Sequence, residues 1–153
     1  MKSLTRRVAA ASLALSIGLV GLAPSALANS AYSSKVYYPN GAYLWAYAYL
    51  DSQSDSGGCG NYNAWSQISK RPSWIKVVAQ FSEDGFGSVS VGAVSGTISG
   101  SSPTLSWTNS NGALGAYLSG RACMSWAAWY LHLQTTGSSL QYGTVRTVQT
   151  RQL

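Results

Sequence analysis

The chain has 153 residues, of which 46% are hydrophobic and only 9% charged, with a formal net charge of +6. Its two cysteines and single histidine exclude a zinc site built from Cys and His alone, which takes four such ligands. Among the basic residues after position 28 only Lys70, Arg71 and Lys76 cluster, so the basic stripe of a nucleic-acid binder is missing.

In chain order, the first feature is an export signal. Lys2, Arg6 and Arg7 precede the apolar and small run from Val8 to Leu22, and the small-x-small triplet Ala26-Leu27-Ala28 follows. That order of charge, apolar stretch and cleavage site is a secretory signal peptide over 1–28. The apolar run is shorter than the roughly 20 residues of a spanning helix, so no membrane span is expected. Cleavage after Ala28 leaves about 125 residues, the size of one domain, in a secreted, extracellular protein. The basic residues left are Lys35, Lys70, Arg71, Lys76, Arg121, Arg146 and Arg151. Against Asp51, Asp55, Glu83 and Asp84 they give a net charge of +3.

Asn29 to Asn40 is polar and carries Tyr32, Tyr37 and Tyr38; it reads as an extended N-terminal arm closed by the turn Pro39-Asn40-Gly41. The single domain then spans 41–153. Tyr43 to Leu50 alternates strictly, with Tyr43, Trp45, Tyr47 and Tyr49 on one face and Leu44, Ala46, Ala48 and Leu50 on the other. This is the period of a strand. Asn61–Ser69 and Ser73–Ser82 read as strands around Lys70-Arg71-Pro72, with a hairpin turn expected at Glu83-Asp84-Gly85. Gly87–Ser99 reads as one Gly-rich, bent strand. Pro103–Thr108 and Ala113–Ser119 flank a second hairpin signal, Asn109-Ser110-Asn111-Gly112. Arg121–Thr135 has apolar residues on both faces, as a central strand does, although its Ala and Leu also permit helix. Thr136-Gly137-Ser138 reads as a turn into a last strand, Leu140–Thr150. Short strands at this spacing predict an all-β domain, a β-sandwich or small β-barrel with one disulfide.

The disulfide is Cys59–Cys123, the reading of choice for two cysteines in an exported chain. It would close a loop of about 65 residues and contribute on the order of 4 kcal/mol. Catalytic patterns are weak. His132 has no serine in a nucleophile-elbow spacing near it. The four carboxylates fall in predicted turns, close in sequence rather than across a cleft. No pattern calls for a metal or cofactor. The expectation is therefore a non-catalytic protein.

Six Trp, ten Tyr and two Phe are more rings than about 125 residues readily bury, so some belong at the surface, where Tyr and Trp suit interfaces. The candidate partner-binding residues are Tyr43, Trp45, Tyr47 and Tyr49 on one strand face, and Tyr32, Tyr37 and Tyr38 in the arm. The alternative for the strand face is burial as core, and for the arm a disordered terminus. Two partner classes fit: a secreted protein, with the chain as adaptor or accessory subunit of an extracellular assembly such as an antibacterial toxin, or a cell-surface glycan. A third reading is an inhibitor of a secreted hydrolase. The overall composition is similar to that of small secreted proteins of high-GC Gram-positive bacteria.

Overall fold

The computed structural model describes residues 29–51, 58–93 and 96–153. The signal-peptide reading of 1–28 lies outside them. The described residues form eleven strands and no helix. They are β1 Asn29–Tyr32, β2 Val36–Tyr37, β3 Tyr43–Leu50, β4 Cys59–Ile68, β5 Trp74–Gly85, β6 Val89–Ala93, β7 Gly96–Gly100, β8 Thr104–Asn109, β9 Gly115–Cys123, β10 Ala128–Gln141 and β11 Thr144–Gln149. One sheet runs β1-β3-β4-β9-β6-β7, with β2 also on β3; the other runs β11-β10-β5-β8. Every pairing is antiparallel.

Alternation decides which face goes inward. Leu44, Ala46, Ala48 and Leu50 of β3, with Tyr62, Ala64 and Ile68 of β4, are buried against Ile75, Val77, Ala79 and Phe81 of β5 and Leu133 of β10. The rings of Tyr62 and Phe81 meet edge to face across the layers at 4.8 Å. The aliphatic face of β3 is therefore core, and its aromatic face turns outward.

Gly137 shows how closely the sheets approach. A Cβ there would lie 2.6 Å from the Ser66 Cβ and 3.3 Å from the Ala46 Cβ. The Ser66 hydroxyl, on the facing sheet, donates to the Lys76 carbonyl at 2.9 Å. This corrects the expected turn at Thr136-Gly137-Ser138: the glycine lies inside β10, where the Cβ atoms of Ser66 and Ala46 on the facing sheet come close to its backbone. The turn falls instead at Tyr142-Gly143, where both φ angles are positive (48° and 74°), as a two-residue hairpin requires.

Four further expectations change. Gly85 pairs with Ala128, so the hairpin expected at Glu83-Asp84-Gly85 is a continuation of β5, after which the chain crosses to the other sheet. Asn109–Gly112 likewise links β8 in one sheet to β9 in the other. Arg121–Thr135 is not one strand: Arg121–Cys123 ends β9, and β10 begins at Ala128 after a corner. Gly87–Ser99 holds two paired strands, β6 and β7, rather than one.

Residues 29–40 are built into the sheet. Asn29–Tyr32 pairs with Tyr47–Leu50, and Val36–Tyr37 with Tyr43–Leu44. The register shifts by one between the two pairings, so this edge strand carries a bulge. There Ser33 substitutes its side chain for the backbone: its N–H donates to the Ala46 carbonyl, and its hydroxyl accepts from the Ala46 N–H at 2.8 Å. A twisted, bulged edge is one way proteins deter unwanted strand pairing.

Candidate functional site

The outer face of the first sheet carries the site. Its register lines up one aromatic residue on each of four neighbouring strands: Tyr32 opposite Tyr47, Tyr47 opposite Trp65, and Trp65 opposite Tyr117. Cross-strand neighbours of this kind interact directly and stiffen a sheet face. Tyr47 and Trp65 stack at 5.1 Å with 25° between their planes, and Tyr32 lies 4.7 Å from Tyr47 and 6.0 Å from Trp65. A second line runs along the chain direction: Tyr37 beside Tyr43 at 5.7 Å, Tyr43 beside Trp45 at 5.2 Å, and Trp45 edge-on to Trp65 at 6.3 Å. Trp65 is the hub, since Tyr32, Trp45 and Tyr47 all touch it.

Polar groups edge the rings. The Lys35 ammonium sits 4.5 Å over the Tyr43 ring, a cation–π contact. Tyr117 leans along its own strand over Gly115, where a Cβ would lie 2.5 Å from its hydroxyl. Past the end of β3, the Tyr49 hydroxyl donates to Asp51 at 2.7 Å, and the Asn61 N–H donates to the second carboxylate oxygen at 2.8 Å. These two donors hold the Asp51 carboxyl below the usual carboxylate range, the Tyr49 bond being the larger cause. The same bond raises the Tyr49 phenol.

The sequence-selected residues divide cleanly. Tyr43, Trp45, Tyr47 and Tyr49 are half-buried on the outer face; Tyr32 and Tyr37 share it and are 65% and 60% exposed. Tyr38 does not belong with them. It is buried, and its hydroxyl donates to the Ser139 carbonyl at 2.8 Å. The bulge and the Pro39-Asn40-Gly41 turn direct it inward, and burial raises its phenol pKa. As a core residue, Tyr38 is corrected out of the candidate surface. Cys59 and Cys123 face each other across β4 and β9 and are bonded, with Cα atoms 4.0 Å apart.

Sequence reasoning missed Trp65 and Tyr117, which complete the row. The signal was present: Asn61, Asn63, Trp65 and Gln67 alternate with Tyr62, Ala64, Ser66 and Ile68, in the same period that exposed β3. The outer face of the second sheet has a different character. Gln80, Thr104, Ser106, Gln134, Thr136 and Ser138 occupy it around the register of β5, β8 and β10.

His132 lies on that second face. Its Nδ1 is 2.8 Å from the main-chain oxygen of Leu153, and its Nε2 is 3.0 Å from Asp84. Burial pulls its pKa down. The Asp84 hydrogen bond, the Leu153 oxygen and the Asp84 charge together outweigh that and raise it. Both ring nitrogens are thus engaged by the protein. Among the described residues, no group of three or more His, Cys, Asp or Glu is placed to hold a metal ion, and no helix is long and apolar enough to cross a membrane. Comparisons with protein-family models, curated proteins and solved structures found no match, so no relative lends a function to this face.

Proposed function

We propose that the chain is a secreted, non-catalytic binding protein whose outer aromatic face docks another extracellular protein, as an adaptor or accessory subunit. The observation that carries this reading is the continuous row Tyr32–Tyr47–Trp65–Tyr117, joined by Tyr37, Tyr43 and Trp45, on a solvent-facing sheet surface. Large apolar patches on an otherwise polar surface mark interaction sites. Tyr and Trp are the residues most enriched where binding energy concentrates.

Ring geometry favours protein over glycan. A sugar stacks on an open ring face, whereas Tyr47 and Trp65 already lie face to face, with Tyr43 and Trp45 only 32° from parallel. Such a cluster offers ring edges, hydroxyls and an indole N–H, which suit the mixed apolar and polar surface of a protein. The cross-strand disulfide fits an oxidising, extracellular setting.

The test is site-specific photo-crosslinking in the producing cell's culture medium. A photoreactive residue at position 32 or 117 should trap one defined protein, and the same group at position 80, exposed on the outer face of the other sheet between Gln134 and Thr104, should not. Equal trapping from both sheets would overturn the reading. Retention on insoluble glycan without any trapped protein would assign the face to a glycan instead.

A further inference from the structure

A second group of rings lies at one end of the molecule, away from the aromatic face. Phe86, in the crossing after β5, is 84% exposed, and Trp126, in the corner between β9 and β10, is 85% exposed. Trp129 and Tyr130 beside them are 68% and 64% exposed. Exposure this high means that each ring projects from the surface rather than lining a groove.

The backbone is built to hold them out. Gly85 and Gly87 flank Phe86 at φ of 135° and 153°, conformations that other residues rarely adopt. A Cβ on Gly85 would lie 2.4 Å from the Ala127 carbonyl oxygen, and one on Gly87 would lie 2.0 Å from the Ser125 hydroxyl. The two loops are therefore pressed together with no room for side chains between them. They are also bonded: the Phe86 N–H donates to the Ala127 carbonyl at 3.3 Å, and the Ser125 hydroxyl donates to the Phe86 carbonyl at 3.2 Å. Trp126 stands between those two clamping residues. The bulge at Ala128/Tyr130 leaves Trp129 without a partner across the ladder. The disulfide at Cys123 anchors the base of the corner.

We infer that this four-ring tip inserts into the interface of a neutral, zwitterionic phospholipid bilayer. Separately projecting Trp, Tyr and Phe side chains fit a soft partner that closes around each ring, and they are the residues that favour the boundary between headgroups and acyl chains. Charge selects the lipid. Asp51, Glu83 and Asp84 lie at this end, where His132 sits 3.0 Å from Asp84 and Arg121 lies beside Asn61, whereas Lys70, Arg71 and Lys76 lie at the other, so the tip offers anionic headgroups no concentrated positive charge.

The test is flotation of the protein, as secreted into the medium, with vesicles of phosphatidylcholine and phosphatidylethanolamine. The parent should float, and so should Tyr142→Asn, which removes an equally exposed ring from the opposite end. Phe86→Ser/Trp126→Ser should weaken flotation by about tenfold or more. The inference is overturned if the parent stays at the bottom of the gradient, or if the double variant floats as well as the parent. Flotation that needs phosphatidylglycerol and survives the double substitution also overturns it, since it would come from the basic end. Should the double variant misfold, brominated phosphatidylcholine gives a second readout: it should quench the parent's fluorescence, and Trp126→Phe should reduce the quenched share. Equal quenching would overturn the inference. None of these outcomes depends on the aromatic sheet face.

Discussion

Gly137→Ala tests the packing of the two sheets at its tightest point. The added methyl would sit 2.6 Å from the Ser66 Cβ, and 3.3 Å from both the Ala46 Cβ and a Val148 methyl. Carbon atoms pack at about 3.5–4.0 Å, so the layers must part by roughly 1 Å there. Overpacking of this kind costs about 1–3 kcal/mol, and the buried Cβ atoms of Ser66 and Ala46, fixed to their backbone, place this site at the upper end. Ser66→Gly removes the opposing Cβ but also loses the 2.9 Å hydrogen bond to the Lys76 carbonyl and costs about 1–2 kcal/mol by itself. Combined, the two changes should be less damaging than their sum, with a favourable coupling of about 1 kcal/mol or more. Urea unfolding of the four proteins in the cycle measures this directly. Additive energies, or a Gly137→Ala variant as stable as the parent, would refute the close approach.

Two more outcomes follow from the same architecture. Tyr38→Phe should cost about 1 kcal/mol through the lost bond to Ser139, whereas Tyr38→Ala should cost about 3–5 kcal/mol as a core deletion; a Tyr38→Ala variant of parent-like stability in chemical denaturation would place the ring outside the core. His132 should titrate above its ordinary 6.5, and Asp84→Asn should lower that pKa. Because the folded-state pKa is raised, the contact's stabilisation is complete below pH 6.5 and fades as pH rises through the folded value. NMR titration of the imidazole protons checks both statements, and an unchanged pKa in Asp84→Asn would refute the ion pair.

Much of the scaffold was legible because strand alternation is a local signal. Tyr43 to Leu50 declared both its period and its two chemistries, and the cysteine pair implied its own bond. Two things were not local. Whether the aliphatic or the aromatic face of β3 is core depends on the opposing layer, where Phe81, Val77 and Leu133 fill the space against Leu44 and Ala46. The aromatic row runs across strands, so it emerges only when register sets Tyr32, Tyr47, Trp65 and Tyr117 side by side.

Glycine and apolar residues misled for a related reason. Gly137 between Thr and Ser resembles a turn, yet its lack of a side chain serves the contact between sheets. Trp126, Trp129 and Tyr130 resemble a buried strand because an apolar residue at a projecting corner has the same one-dimensional pattern as one in a core. The polar N-terminal segment reads as an arm outside the domain at 41–153. Backbone pairing with β3 and the single inward ring of Tyr38 incorporate it.

The most direct test of the aromatic face is Trp65→Ala, measured for both affinity and stability against the protein trapped by crosslinking at position 32 or 117. Trp65 touches Tyr32, Trp45 and Tyr47, so its removal dismantles the cluster without entering the core between the sheets. The account predicts binding weakened by about 2 kcal/mol or more, as for the anchor of an interface, with a much smaller loss of folding stability. Unchanged affinity together with a loss of about 3–5 kcal/mol in stability, as for deletion of a core ring, would contradict it.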